Sequence, residues 1–202
     1  MPATNAMHFV HASPMVLPSR FAVALLLFAG ACGSETDGSV TLPGPKGGAY
    51  GPAITLESDA FVDGGMMPEP YTCDGDNYAP PLAWSNVPEG TDSFALVVDD
   101  PDAARKVWVH WVVWAMPADT RSLAEGTNPE VDEFVQGRND NAKTGWSGPC
   151  PPAGDDPHRY EFHLFAVDHV PNLPTTTSRD DLYRDLDGRV LAMGELVGLY
   201  GR

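Results

Sequence analysis

Three strand-like runs constrain the fold of this chain more than any other feature. Residues 93–99 are almost continuously apolar, which is typical of a central strand buried on both faces. Residues 106–116 are rich in β-branched and aromatic side chains, and residues 159–167 alternate in polarity. The chain also contains 20 Gly and 20 Pro, which favours many turns over long helices. These patterns predict a mainly β fold, either a large sheet or a sandwich.

Helical signals occur only near the end of the chain. Ser178 and Asp181 have the spacing of a capping box and stand before Leu182 and Leu186. Apolar residues then recur at helical spacing, at Val190, Met193, Leu196 and Val197. We therefore expect short C-terminal helices after the strands.

The first 32 residues have the features of an export signal. Arg20 precedes an apolar run at 21–29, which is too short to span a bilayer comfortably because spanning takes about 20 residues. Residues 29–32, ending at Cys32, resemble the lipobox of bacterial lipoproteins, although an ordinary signal with an incidental cysteine is the alternative. We predict a signal peptide over residues 1–32, lipidation of Cys32, and an extracytoplasmic protein of the cell envelope that is lipid-anchored to a membrane.

Two further segments follow the export signal. Residues 33–52 are rich in Gly and Pro and have no apolar period, which predicts a flexible linker. Residues 53–202 carry the strand patterns and form the predicted domain. Its cysteines, Cys73 and Cys150, are an even pair in an oxidising compartment, so we expect a disulfide, with a packing role for the two thiols as the alternative.

The charge of the chain excludes one class of partner. Twelve Lys and Arg stand against 28 Asp and Glu, giving a net charge of −16, so nucleic acid is not an expected partner. An anion site in such a chain must be local and built from His, Arg and backbone N–H groups.

Two motifs carry the polar residues of interest. In the first, Asp100 ends an apolar run and His110 stands among apolar neighbours, where a polar group must be hydrogen-bonded or face a cavity. In the second, Pro151 and Pro152 stiffen the backbone shortly before His158. A histidine follows each motif, and imidazole is a suitable hydrogen-bond donor to an anion.

These motifs, together with residues 71–75 and 80–85, resemble the phosphatidylethanolamine-binding protein family, which includes the Raf kinase inhibitor protein and bacterial relatives. The resemblance covers residues 53–202 and implies the β sandwich of that family, with a small pocket for phosphate, acetate or a phospholipid head group. Carried over by motif, the pocket would use Asp100, His110, Pro152, His158 and Tyr160. Ala104 stands where many relatives have Pro, and Arg189 stands where bacterial relatives often have His.

Plainer interpretations remain for the same residues. His110 fits a core histidine bonded to backbone. Asp100 and Asp102 fit turn residues that cap local N–H groups, and this interpretation is preferred for Asp102. His163 and Arg159 lie on the other strand face if the alternation holds, so they are left out of the site. The spacing of the Asp and His residues matches no compact zinc signature, so neither a metal nor a cofactor is expected.

Binding is the favoured function, with a small anion or a phospholipid head group as ligand. The alternatives are a protein-interaction module that inhibits a protease or another enzyme, its partner unknown, and a weak hydrolase. The sequence has no Gly-x-Ser-x-Gly elbow, so we do not expect an enzyme.

Overall fold

The computed structural model describes residues 41–127 and 133–202. Within these ranges there are nine strands and one α-helix, α1 (Arg179–Leu186), besides short 3₁₀ turns at Lys46–Gly48 and Glu69–Tyr71. The strands are β1 (Thr55–Glu57), β2 (Gly65–Met66), β3 (Leu82–Ser85), β4 (Ser93–Asp100), β5 (Trp108–Pro117), β6 (Ser122–Leu123), β7 (Val135–Gln136), β8 (His158–Val167) and β9 (Val190–Tyr200). No helix in this part of the chain is long and apolar enough to cross a membrane.

The strands form two sheets. The larger has six strands in the order β2-β9-β8-β4-β5-β7, and the smaller has the order β1-β3-β6. Every pairing between these strands is antiparallel except that of β2 with β9. The mainly β fold that the sequence predicts is confirmed.

The larger sheet is covered on both faces. On one face, the smaller sheet contributes Trp84, whose ring meets Phe94 edge-on at a centroid distance of 5.5 Å. On the other face, Leu182 and Leu186 of α1 join an apolar cluster with side chains of β4, β5 and β8. Since β4 lies inside the larger sheet and between these two layers, all eight of its residues are buried, as its apolar run predicts.

The C-terminal region is only partly helical. The predicted capping box is present at the start of α1, where the Ser178 side chain accepts a hydrogen bond from the Asp181 N–H. The second predicted helix is wrong, because the residues from Val190 onward form strand β9. Burial along β9 alternates with a period of two, and the inward positions include Gly194 and Gly198, which have no side chain to reveal the alternation in the sequence.

Part of the predicted linker is held against the domain. The Gly51 N–H donates to the Leu191 carbonyl at 2.6 Å, and the Lys46 ammonium donates to Asp168 at 2.6 Å. Residues 41–52 therefore do not match the expected flexible linker. The predicted signal peptide, Cys32 and the first part of the linker lie outside the described residues.

Candidate functional site

The five predicted pocket residues line one cavity of about 360 Å³. Asp100 comes from the end of β4, His110 from β5, and His158 and Tyr160 from β8, while Pro152 belongs to the loop before β8. Strand β4 pairs antiparallel with β5 on one side and with β8 on the other, so its end lies beside the starts of both. Asp100 is opposite Trp108 in the pairing with β5. The pairing of β4 with both neighbours therefore brings the two motifs together at one end of these three strands.

A β-bulge turns His110 into this cavity. Val98 pairs with Trp111 and Asp99 pairs with Val109, so His110 is the extra residue of β5 between two ladder positions. In a regular strand, alternation would place His110 and Trp111 on opposite faces. The bulge lets both residues face the side of the sheet where the cavity lies.

Asp100 and His158 form a buried pair in the cavity wall. His158 Nδ1 donates to Asp100 Oδ2 at 2.8 Å, and Asp100 Oδ1 accepts from the Asp102 backbone N–H at 2.8 Å. The side chains of Asp100 and His158 are only 6% and 10% exposed. Because both carboxylate oxygens are engaged, Asp100 orients His158 and leaves the Nε2 edge of that ring available to a ligand.

His110 is fixed by a backbone carbonyl. Its Nδ1 donates to the Ser147 oxygen at 2.5 Å, and its ring stands edge-on to that of Tyr160 at a centroid distance of 5.1 Å. Burial is the main cause that lowers the pKa of His110, while the Ser147 carbonyl and Asp100 act in the opposite direction. The ring is therefore held in one orientation and resists a second proton.

The Tyr160 hydroxyl is an unpaired polar group. Tyr160 is fully buried, and its oxygen makes no hydrogen bond of normal geometry to any residue in the described ranges. Burial raises the pKa of Tyr160 well above its usual range, although the backbone of Cys150 offsets part of this rise. The hydroxyl therefore stays protonated and is shielded from solvent.

Arg159 and His163, which the sequence analysis left out of the pocket, point away from the cavity. Arg159 faces away and pairs with Asp102 at 2.8 Å, and His163 lies among residues on the opposite face of the sheet. The turn-capping role expected of Asp102 is wrong in detail. Asp100 accepts the local N–H, whereas the Asp102 carboxylate accepts from the backbone and the guanidinium of Arg159.

Sequence reasoning missed some contributors to the cavity. Ser147 matters through its carbonyl, which any residue supplies, so no side-chain pattern could have indicated it. Asn141 donates to the Ser147 hydroxyl at 2.5 Å and lines the cavity, as do Arg105 and Lys106. The adjacent pair of basic residues close to the first motif was the available signal for the last two.

A disulfide fastens the loop that forms one wall. The sulfur atoms of Cys73 and Cys150 lie 2.05 Å apart, and the Cys73 N–H donates to the Pro149 carbonyl at 3.0 Å. Cys150 itself lines the cavity, two residues before Pro152. In the ranges that the structure covers, no group of three or more His, Cys, Asp or Glu residues is arranged to hold a metal ion.

The model of the phosphatidylethanolamine-binding protein family matches residues 57–201. The chain belongs to this family. A UPF0098 protein of Methanothermobacter thermautotrophicus is 45% identical over 153 residues, which cover 74% of this chain and 99% of the relative. A UPF0098 protein of Aquifex aeolicus is 43% identical over 157 residues, covering 76% of this chain and 92% of the relative.

Solved structures of the family have the same fold. The crystal structure of CT736 from Chlamydia trachomatis, described as a putative phosphatidylethanolamine-binding protein homolog, matches with a TM-score of 0.69 and 36% identity. That of YbcL from E. coli, described as a member of the mammalian family, matches with a TM-score of 0.70 and 32% identity. Each match covers 74% of this chain and 98% of the other. The family resemblance predicted from the motifs is confirmed.

Proposed function

We propose that this family member is an exported, lipid-anchored binding protein whose cavity takes a small anion, such as phosphate, a carboxylate or a phospholipid head group. The observation that carries the proposal is a pair of imidazole edges in one cavity wall, Nε2 of His110 and Nε2 of His158, beside the buried ring of Tyr160. These groups supply a local anion site in a chain with a net charge of −16.

The cavity wall favours binding over covalent catalysis. Its lining residues include no serine or threonine, and Cys150 is bonded to Cys73. Among these lining residues the Asp100–His158 pair has no serine, threonine or free cysteine to activate, and its carboxylate instead orients the imidazole of His158.

Calorimetric titration with phosphate and phosphoethanolamine tests the pocket. We expect His110→Ala and His158→Ala each to remove a hydrogen bond to the charged ligand, weakening binding by about 1.5–3 kcal/mol. His169→Ala is the matched control, because His169 bonds Asp185 and takes no part in the cavity lining. Equal binding by the wild type and all three variants would refute the pocket.

The lipid anchor rests on the sequence of residues 20–32 and is tested separately. We expect Cys32→Ser to move the protein from the membrane fraction to the soluble extracytoplasmic fraction of the cell, since acyl chains contribute about 0.8 kcal/mol per buried CH₂. Ser34→Ala, two residues away, is the control and should stay membrane-bound. A Cys32→Ser variant that remains in the membrane fraction contradicts the anchor and leaves the anion pocket untouched.

A further inference from the structure

A backbone carbonyl decides which ring nitrogen of His110 carries the proton. The carbonyl of Ser147 can only accept, so its 2.5 Å contact with Nδ1 of His110 places the proton on that nitrogen. In the neutral ring the other nitrogen, Nε2, then has a lone pair. The Ser147 N–H also donates to the His110 carbonyl at 3.0 Å, so the two residues are bonded in both directions. Whatever holds the segment around Ser147 therefore sets the form of the ring.

Ser147 belongs to a segment outside the strands, and part of its support comes from residues before β3. The Gly148 N–H donates to Asn77 Oδ1 at 2.7 Å, and the indole N–H of Trp146 donates to the Tyr71 carbonyl at 3.2 Å. These two contacts tie the segment to the part of the chain around the disulfide. They do not attach it to the loop after β7, which lies between β7 and Ser147 in the sequence.

Asn139 is the buried centre of the attachment to that loop. The residue is 3% exposed, and its side-chain NH₂ donates to the Gly145 carbonyl at 2.9 Å. Its Oδ1 accepts from the Asn141 N–H at 3.0 Å and from the Lys143 N–H at 3.1 Å. The side chain of Asn141 in turn donates to the Ser147 hydroxyl at 2.5 Å. One amide thus supports Ser147 through two sets of hydrogen bonds, one by way of Gly145 and one by way of Asn141.

The irregular backbone of this loop explains why an amide is needed. Ala142 has φ +58° and Gly145 has φ +92°, and neither angle fits a strand, so the loop cannot pair its polar groups in a regular ladder. An asparagine side chain both accepts and donates, and it can therefore bond N–H groups and a carbonyl at the same time. An aspartate of the same shape would keep the acceptor contacts and lose the donor to Gly145.

We propose that Asn139 is a positioning residue of the cavity, because its amide holds the segment whose Ser147 carbonyl keeps His110 in the Nδ1–H form. Among the described residues Asn139 does not line the cavity, so it acts on a ligand only through the ring of His110. As a statement about binding, this inference rests on the proposed function. The form of the His110 ring is a property of the ligand-free protein, so the two proposals can fail separately.

Nitrogen NMR of the His110 ring in the ligand-free protein reads the position of the proton. Burial lowers the pKa of His110, so the ring is neutral at about pH 8. We expect the wild type to show the Nδ1–H form, and Asn139→Asp and Asn139→Ser to show the Nε2–H form as well. Asp keeps the acceptor oxygen, and Ser is neutral but too short to reach Gly145, so a shared result cannot come from added charge.

Gly194→Ala is the control for a general loss of stability. It strains β9, which is separated from β5 by two strands, and it should keep the wild-type signal of His110. Thermal unfolding reports whether each variant is folded. If neither Asn139 variant folds, Asn141→Ala replaces them, because Asn141 is exposed and its loss removes one of the two supports of Ser147. An unchanged His110 signal in Asn141→Ala then overturns the inference.

Titration with inorganic phosphate gives the second readout. We expect Asn139→Ser to bind phosphate about tenfold more weakly than the wild type, and Gly194→Ala to bind it equally well. An Nδ1–H signal alone in both folded Asn139 variants overturns the inference, and so does an Nε2–H signal in the wild type. A changed signal with unchanged phosphate affinity overturns the link to binding. A changed signal in a protein whose wild type binds no phosphate supports the positioning of His110 and contradicts the proposed function.

Discussion

Asp100 and Asp102 carry the same charge at the same cavity but act on different neighbours. Asp100 holds the ligand-facing ring of His158, whereas Asp102 is about a third exposed and pairs with Arg159 at the rim. Removing either carboxylate reduces negative charge near an anion, which by itself would favour binding. Only the loss of Asp100 also removes the partner that orients the ring of His158.

We therefore expect opposite outcomes for two isosteric variants. Asp100→Asn should weaken phosphate binding by about 1.5–3 kcal/mol, because the ring of His158 loses the carboxylate that accepts from its Nδ1. Asp102→Asn should leave the affinity unchanged or slightly higher, since exposed ion pairs contribute about 0–1 kcal/mol. Calorimetric titration of both variants with phosphate measures the difference. A gain in affinity for Asp100→Asn would show that net charge, not orientation, governs the site.

His163 on the opposite face makes stability depend on pH. Burial, with a contribution from the Arg179 cation, lowers the pKa of His163 to about 4. An exposed histidine titrates near pH 6.5, so the unfolded chain takes up the proton first as pH falls. The contribution of His163 to stability is therefore full above about pH 6.5 and is lost as pH falls toward 4. Asp99, whose pKa burial raises to about 7, acts in the opposite direction over this range.

Comparison of His163→Leu with the wild type isolates the histidine. We expect the wild type to lose about 2 kcal/mol more unfolding free energy than the variant between pH 7 and pH 5. Urea unfolding of both proteins at the two pH values gives the four free energies, and the Asp99 contribution is common to both proteins. Parallel losses in the two proteins would contradict a buried neutral His163.

At the scale of elements, the strands differ in how visible they are in the sequence. Strand β4 is visible because its burial on both faces demands a continuous apolar run. Strand β9 is not, because two of its inward positions are Gly194 and Gly198. A Cβ at position 194 would lie 2.8 Å from the Ile54 carbonyl oxygen, so another segment of backbone occupies the space of the missing side chain. Apolar periodicity cannot report such a contact.

This close approach predicts a strong effect of a single methyl group. We expect Gly194→Ala to lower the free energy of unfolding by about 1–3 kcal/mol, since the Ile54 backbone has to move away. Glu195→Ala is the control, because Glu195 is exposed on the same strand. Urea unfolding at neutral pH measures both variants. An unchanged midpoint for Gly194→Ala would mean that the Ile54 segment yields easily and that the glycine has another role.

The site was predictable to the extent that it consists of side chains. The resemblance of two motifs to the family implies the five pocket residues, and the structure brings all five to one cavity. Two parts were not visible. The bulge that turns His110 inward depends on how β5 pairs with β4. The carbonyl that fixes the tautomer of His110 belongs to Ser147, in a loop that is distant in sequence. Both depend on contacts between segments, which sequence patterns do not report.

At the scale of the whole molecule, the disulfide joins two distant parts of the chain. Cys73 and Cys150 are separated by 77 residues, and the bond connects the segment before β3 with the loop that carries Pro152. Closing so long a loop restricts the unfolded chain and contributes up to roughly 4 kcal/mol in the chain-entropy model. It also restrains one wall of the cavity, so stability and ligand binding are coupled through the same bond.

The mature domain prepared under oxidising conditions should therefore show no free thiol when it is denatured, and two after reduction. We expect the double variant Cys73→Ser/Cys150→Ser to unfold at lower urea concentration and to bind phosphate more weakly, because the loop before β8 loses its attachment. Reduction of the wild type should reproduce both effects, and the same reductant should leave the double variant unchanged. Two free thiols in the oxidised domain would rule out the bond, and the loop would then depend on the hydrogen bond between Cys73 and Pro149 and on packing.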